Sequence, residues 1–153
     1  MDTRETINDI LVNLIRDIWD LEEQAIITEE FQDISNNDMH IIEAIGMGVD
    51  STMSMVAKKL GITAGSLTTS VNGLVNKKYV LRERGEVDRR VVYICLTDKG
   101  QKAYRHHAHY HQKLTEAVVA SLEPAEIPVL LKALNHLSDF FRNYKEDGSE
   151  TIF

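Results

Sequence analysis

Apolar residues recur at Ile7, Ile10, Leu11, Leu14, Ile18, Leu21 and Ala25, the three-and-four spacing of a helix running from Arg4 to about Ile27. Val12, Ile15, Trp19 and Ile26 widen the apolar arc beyond one stripe. A helix apolar over so much of its circumference needs cover on more than one side, and in a small chain a second subunit can supply it. After a loop, Ser35-Asn36-Asn37-Asp38 offers N-cap residues for a helix over about 37–46, ended by Gly46 and Gly48. Ser51 or Ser54 opens a short helix with Val56, Ala57 and Leu60 inward, and Gly61 stops it. Thr63 then caps a helix from Ala64 to about Lys78. Two short helices joined by a tight turn make a helix-turn-helix.

The period then changes. Tyr79 to Arg84 and Arg89 to Leu96 are β-branched or aromatic runs separated by Gly85-Glu86-Val87-Asp88, which predicts a two-stranded hairpin. Thr97 caps a long helix from Asp98 to about Leu122, and Glu123-Pro124 breaks it. A last helix from about Ala125 to Tyr144 carries Ile127, Leu130, Leu131, Leu134, Leu137, Phe141 and Tyr144 on its stripe. The polar tail from Lys145 onward is expected to pack weakly. The expected class is mainly α with a small β-hairpin, in one domain without repeats or linkers.

Composition narrows the classes. The 153 residues are 43% hydrophobic and 27% charged with only 2 Pro, which excludes disordered and low-complexity chains. The longest apolar run, Val91 to Leu96, is too short to span a membrane, and Met1 to Glu5 shows no secretory leader. The single cysteine, Cys95, points to a reducing, cytoplasmic setting; within its apolar strand it is expected to be buried and inert.

The net charge of −7 speaks at first against nucleic acid. Its distribution reverses that impression. Residues 1–50 carry 13 acidic and 2 basic side chains, whereas residues 51–105 carry 11 basic against 4 acidic, and 106–153 carry 7 acidic and 4 basic. A basic central third inside an acidic chain is the footprint of a phosphate-binding surface, or else a solvated face balancing its neighbours. On the 64–78 helix, Leu67, Val71, Leu74 and the stem of Lys78 share one face. The opposite face carries Gly65, Ser66, Thr69, Asn72, Gly73 and Asn76. A generic exposed face is rich in Lys and Glu, so small hydroxyl, amide and glycine positions suit close approach to a groove; a tolerated surface is the plainer alternative. Arg82, Arg84, Arg89 and Arg90 flank the hairpin turn, where an arginine can enter the minor groove. Asp88 would repel a phosphate and is expected to act as a strut, pairing with Arg90.

These residues carry a resemblance. Val56-Ala57-x-x-Leu60-Gly61-Ile62, Leu67-Thr68-x-x-Val71-x-x-Leu74-x-x-Lys77, Asp88-Arg89-Arg90 and Leu96-Thr97-x-x-Gly100 resemble the multiple-antibiotic-resistance regulator (MarR) family of winged-helix repressors. The resemblance implies a DNA-reading winged-helix core over about 36–100, and dimerisation through helices 4–28 and 98–145. It also implies a homodimer on a pseudo-palindromic operator of double-stranded DNA. The residues matching the family's DNA contacts are Ser66, Thr68, Thr69, Ser70, Asn72, Arg89 and Arg90. Asp33-Ile34-Ser35, Met39-His40-x-Ile42-x-x-Ile45-Gly46, Leu67-Thr68-Thr69-Ser70-Val71-Asn72 and Val87-Asp88-Arg89-Arg90-Val91-Val92 are similar to the fatty-acid-synthesis repressors of Gram-positive bacteria within that family. That narrower likeness implies an acyl chain on acyl carrier protein as effector.

His106, His107, His109 and His111 lie in one predicted helix, and His107 and His111 share a face. Two imidazoles one turn apart can bind zinc if His40 and Glu22 or Glu23 complete the set, an arrangement similar to that of the family's zinc-responsive members. The alternative is that His40, His107 and His111 line an effector pocket; the fatty-acid subgroup carries histidines at matching positions. No phosphate-binding glycine loop, nucleophile elbow or His-Glu-x-x-His motif is present, so an enzyme is not expected. A winged-helix module used only for protein contact is the other class to weigh, and its wing would need no arginine cluster.

Overall fold

Each predicted element forms, with its ends moved by local capping. The structure is a computed structural model and describes residues 2–146. Among them the order is α1 (Thr3–Ile26), α2 (Asn36–Ile45), α3 (Met53–Leu60), α4 (Ala64–Asn76), β1 (Val80–Arg84), β2 (Val92–Leu96), α5 (Asp98–Ala120) and α6 (Glu126–Glu146). The chain divides into two compact units, Met1–His111 and Gln112–Phe153. The expectation of a weakly packed tail after Lys145 falls mostly outside the described residues; α6 itself continues to Glu146.

The first unit is built from its caps inward. At α2, Ser35 Oγ accepts the Asp38 N–H at 3.1 Å while the Ser35 N–H donates to the Asp38 carboxylate at 3.1 Å, a reciprocal capping box. At α3 the cap is Thr52, neither Ser51 nor Ser54 as the spacing suggested. Ser51 is committed elsewhere: its hydroxyl donates to Ile45 O at 2.9 Å and its carbonyl accepts from Ile94 N at 2.9 Å. Thr63 Oγ1 accepts the Ser66 N–H at 3.1 Å and starts α4.

The exit of α4 differs from expectation. The helix stops at Asn76, and Lys78 takes a left-handed φ of 67° in the position glycine ordinarily fills. Tyr79 N donates to Leu74 O at 2.9 Å and Lys78 N to Val75 O at 3.0 Å, the two bonds of a Schellman motif. The Lys78 stem is therefore exposed and lies off the inward face of α4. A non-glycine residue there costs about 1–2 kcal/mol, offset by the packing that follows.

That packing is the joint between hairpin and α5. Thr97 N donates to Tyr79 O at 3.0 Å, Thr97 Oγ1 donates to Lys78 O at 2.6 Å, and the same oxygen accepts the Gly100 N–H at 3.1 Å. A Cβ on Gly100 would lie 2.1 Å from the Tyr79 carbonyl oxygen, so the close crossing admits only glycine. The Tyr79 hydroxyl donates to Asp33 at 2.6 Å, and Lys99 Nζ lies 4.2 Å from the Tyr79 ring centroid.

Around this joint sits the core: Ile26, Phe31, Ile34, Met39, Ile41, Ile42 and Ile45, then Val56, Leu67, Val71 and Leu74, then Tyr79, Val80, Ile94, Leu96 and Ala103. Strands β1 and β2 are antiparallel, with Val80 opposite Leu96 and Arg84 opposite Val92. Strand alternation places Ile94 and Leu96 inward and Cys95 opposite Leu81 on the other face, so Cys95 is half-buried where burial was expected.

Helix α1 buries only Glu22 and Ile26, leaving Ile7, Ile10, Leu14, Ile15 and Trp19 at least half exposed within the single chain. In the second unit, α6 exposes Val129, Leu131, Leu134, Phe140 and Phe141 to a similar degree. No helix among the described residues is long and apolar enough to cross a membrane.

Candidate nucleic-acid interface and a histidine–glutamate cluster

Helix α4 is anchored by Leu67, Val71 and Leu74, all fully buried, which turns its other side to solvent. Ser66, Thr68, Thr69 and Asn72 are exposed there, and Ser70 is half-buried on the flank. Thr68 Oγ1 donates to Ala64 O at 2.8 Å and Thr69 Oγ1 to Gly65 O at 3.2 Å. Both hydroxyl protons are thus held within the helix. A groove of about 610 Å³ separates this face from β1, with Ala64, Thr68 and Asn72 on one wall and Arg82 and Arg84 on the other.

The turn joining the strands is held by its own polar groups. Gly85 N donates to Val91 O at 2.8 Å and Val91 N to Asp88 O at 3.1 Å. The Asp88 carboxylate accepts the Arg90 backbone N–H at 3.0 Å, Nε at 3.1 Å and Nη2 at 3.2 Å. These bonds hold the Asp88 carboxyl below the usual carboxylate range. Asp88 thereby orients the Arg90 guanidinium and leaves Nη1 for an outside partner. Arg89 is exposed beside it, and Val87 is fully exposed at the tip.

A second constellation lies elsewhere in the same unit. Glu22 Oε1 receives three imidazoles: His107 Nε2 at 2.8 Å, His40 Nε2 at 3.2 Å and His111 Nε2 at 3.3 Å. His111 Nε2 and His107 Nε2 are 3.0 Å apart, and His107 Nδ1 lies 3.4 Å from Glu43. Glu22 and His107 are buried, whereas His111 is exposed. Burial pushes the Glu22 carboxyl upward, but the hydrogen bonds from His107 and His40 outweigh it, and the group sits below its ordinary value. Of the two glutamates the spacing allowed, Glu22 is the one that meets the histidines; Glu23 is exposed. A cavity of about 410 Å³ opens beside the cluster, lined by His40, Glu43, Ala44, Lys59, Leu60 and His111.

These donors suit a cation of zinc's preference. Tetrahedral ligands at 2.0–2.1 Å lie roughly 3.3–3.4 Å from one another. The oxygen–nitrogen and nitrogen–nitrogen separations here run from 2.8 to 3.3 Å. A bound zinc would be held by Glu22, His107 and His111 and would join α1 to α5.

Sequence reasoning did not find Glu43, Tyr110 or the contact of Arg82 with Asn72. The Tyr110 hydroxyl is buried without a partner among the described residues, and burial, then the nearby Glu22 charge, raises its pKa. Glu43 lies three residues after His40 on α2 and Tyr110 three after His107 on α5, so helical spacing could have placed both near the cluster, whereas the Arg82–Asn72 contact joins a strand to a helix and had no such signal.

Comparison with known proteins places these features. Residues 32–91, from before α2 to the end of the wing loop, match a model of the MarR family. The crystal structure of Streptococcus pneumoniae FabT in complex with DNA is 37% identical with a TM-score of 0.87, covering 92% of this chain and 98% of that one. Among curated relatives, the Bacillus subtilis regulator PchR is 24% identical over 96% of this chain and 94% of its own. The B. subtilis HTH-type transcriptional regulator YpoP is 25% identical over 69% of this chain and 75% of its own. The helix-turn-helix, the arginine-bearing hairpin and these likenesses together establish the chain as a member of the MarR family of winged-helix, DNA-binding transcriptional regulators.

Proposed function

We propose that the protein is a cytoplasmic repressor acting as a homodimer on a pseudo-palindromic operator, and that it controls fatty-acid-synthesis genes. The observation that carries the DNA-reading part is the exposed face of α4, small and uncharged, set across a groove from Arg82 and Arg84. In this reading the core over 36–100 presents Ser66, Thr68, Thr69, Ser70 and Asn72 to the major groove. The methyl groups of Thr68 and Thr69, left outward by their back-bonded hydroxyls, meet thymine methyls. Arg89 enters the minor groove, and Arg90, steadied by Asp88, contacts the backbone. The apolar residues exposed on α1 and α6 support dimerisation through 4–28 and 98–145. Two reading helices then address half-sites about 34–36 Å apart.

The effector assignment rests on the likeness to fatty-acid-synthesis repressors and on the cavity beside the histidines. An acyl chain carried by acyl carrier protein would occupy it and alter the spacing of the two α4 helices. A zinc-responsive reading is favoured by one separate observation, the convergence of Glu22, His107 and His111. Operator binding with acyl carrier protein carrying a long acyl chain, compared with binding under a zinc titration, separates the two. An acyl-dependent change that persists in Glu22→Gln supports the first; a zinc-dependent change abolished by Glu22→Gln supports the second.

The wing gives the direct test. Arg89→Ala or Arg90→Ala should weaken operator binding about tenfold or more while leaving the melting temperature unchanged, because both side chains are exposed. Unchanged affinity in both variants would contradict the wing assignment.

A further inference from the structure

The hairpin and α4 meet at one contact that neither element alone would suggest. Arg82 Nη1 donates to Asn72 Oδ1, joining β1 to the exposed face of α4 across the mouth of the groove. Arg82 pairs in register with Ile94, which is buried, and lies two residues from Val80, which is buried too. Strand alternation therefore directs Val80, Arg82 and Arg84 to the face of the sheet that packs on α4, and Arg82 emerges where the core ends. Its position is set by the strand rather than by a loop.

The chemistry of the pair fixes an orientation. A guanidinium can only donate, so the atom of Asn72 that it holds must be the amide oxygen. The Asn72 NH2 group is then the one turned away from Arg82, and it brings two donors to the open groove. An unrestrained asparagine can present either end of its amide and so accommodates a base-edge donor or acceptor alike. A held one cannot.

We propose that Arg82 is a positioning residue that locks the Asn72 amide with its NH2 toward the DNA, so that Asn72 selects acceptor edges, purine N7, guanine O6 or thymine O4, over the amino groups of cytosine and adenine. This rests on the reading of α4 as the major-groove helix, and it adds a specificity element that lies on the strand. Arg82 is a cation beside the same groove, so the competing role is a contact to phosphate, which carries no base preference.

The test starts from a duplex pool randomised over about 21 base pairs, two helical turns, from which the wild-type protein enriches its preferred site. Dissociation constants are then measured on that site and its single-base-pair variants, at two salt concentrations. The proteins compared are the wild type, Arg82→Ala, Arg82→Lys, Asn72→Ala and the double alanine variant, with melting curves confirming that each is folded. The lock predicts that Arg82→Ala and Asn72→Ala each lose about tenfold of preference at the same base pair. The double variant should lose no more, and the salt slope of Arg82→Ala should equal the wild type's. Arg82→Lys keeps the charge, so a phosphate contact predicts near wild-type binding for it, whereas the lock predicts loss of the base preference because a flexible ammonium does not hold the amide in one orientation. Uniform weakening on all duplexes with the salt slope reduced by about one would show a phosphate contact and overturn the proposal. Loss of preference at a different base pair would overturn it as well. Steep salt dependence without base preference in the wild type would defeat the lock alone, whereas absence of salt-dependent binding would defeat the major-groove reading with it.

Discussion

At the scale of single residues, two positions carry consequences that measurement can reach. Gly100 faces the Tyr79 carbonyl oxygen, where an added Cβ would sit at 2.1 Å against backbone that is itself fixed by Thr97. Gly100→Ala should therefore destabilise the fold by more than about 2 kcal/mol, well beyond the usual effect of an alanine in a first helical turn, as read by urea unfolding. A change under 0.5 kcal/mol, roughly surface behaviour, would contradict the crossing. Glu22 acts through protons. Its carboxyl is held below the ordinary value of 4.5, so its contribution is fully present above that pH and is lost as pH falls through the folded-state value. Glu22→Gln should be less stable than wild type at neutral pH, and the gap should narrow as pH drops below 4.5. A gap independent of pH would remove the linkage. The residue identities of this cluster were partly legible, because His107 and His111 are one turn apart and Glu22 lies on a recognisable helix. Glu43 and Tyr110 were overlooked although each lies one turn from a cluster histidine, because neither residue type pointed to a role until packing showed Glu43 against His107 and the Tyr110 hydroxyl buried.

Among the elements, the exit of α4 shows what pattern alone does not reveal. Periodicity carried the helix to Lys78, but the chain turns at Lys77 and puts a lysine where a left-handed residue is required. No glycine marks the turn, so the sequence offered no stop signal there. Lys78→Gly should stabilise the protein by up to about 1 kcal/mol, the relief of left-handed strain less the entropy that glycine adds to the unfolded chain. Destabilisation would show that the lysine makes a compensating contact. The spacing offered Ser51 or Ser54 as the cap of α3 and passed over Thr52 between them; Ser51 is a good cap by type but is bound to Ile45 and Ile94. Helix existence, the hairpin and the core stripe Leu67, Val71 and Leu74 were legible because their periods are strong and local. Cys95 shows the limit of counting apolar neighbours, since a strand in a two-stranded sheet has one open face.

For the whole molecule, the sum of charges conceals the function. The chain is −7 overall, yet residues 51–105, the segment that contains α4 and the wing, carry 11 basic and 4 acidic side chains. Those charges require that affinity for duplex DNA come largely from released counterions, even though the protein is acidic. The proposed dimerisation through the apolar residues exposed on α1 and α6 predicts that sedimentation of the full chain registers a dimer, and a monomer would contradict it. The central claim is that this basic third reads double-stranded DNA. Its most direct test is the dissociation constant of the full-length protein on its enriched duplex between about 50 and 200 mM salt. For a protein making about 6–10 phosphate contacts, affinity should fall by roughly 10³–10⁵ over that interval, while the protein stays folded. An affinity that stays flat across the interval, or no binding to any duplex in the pool, would contradict it.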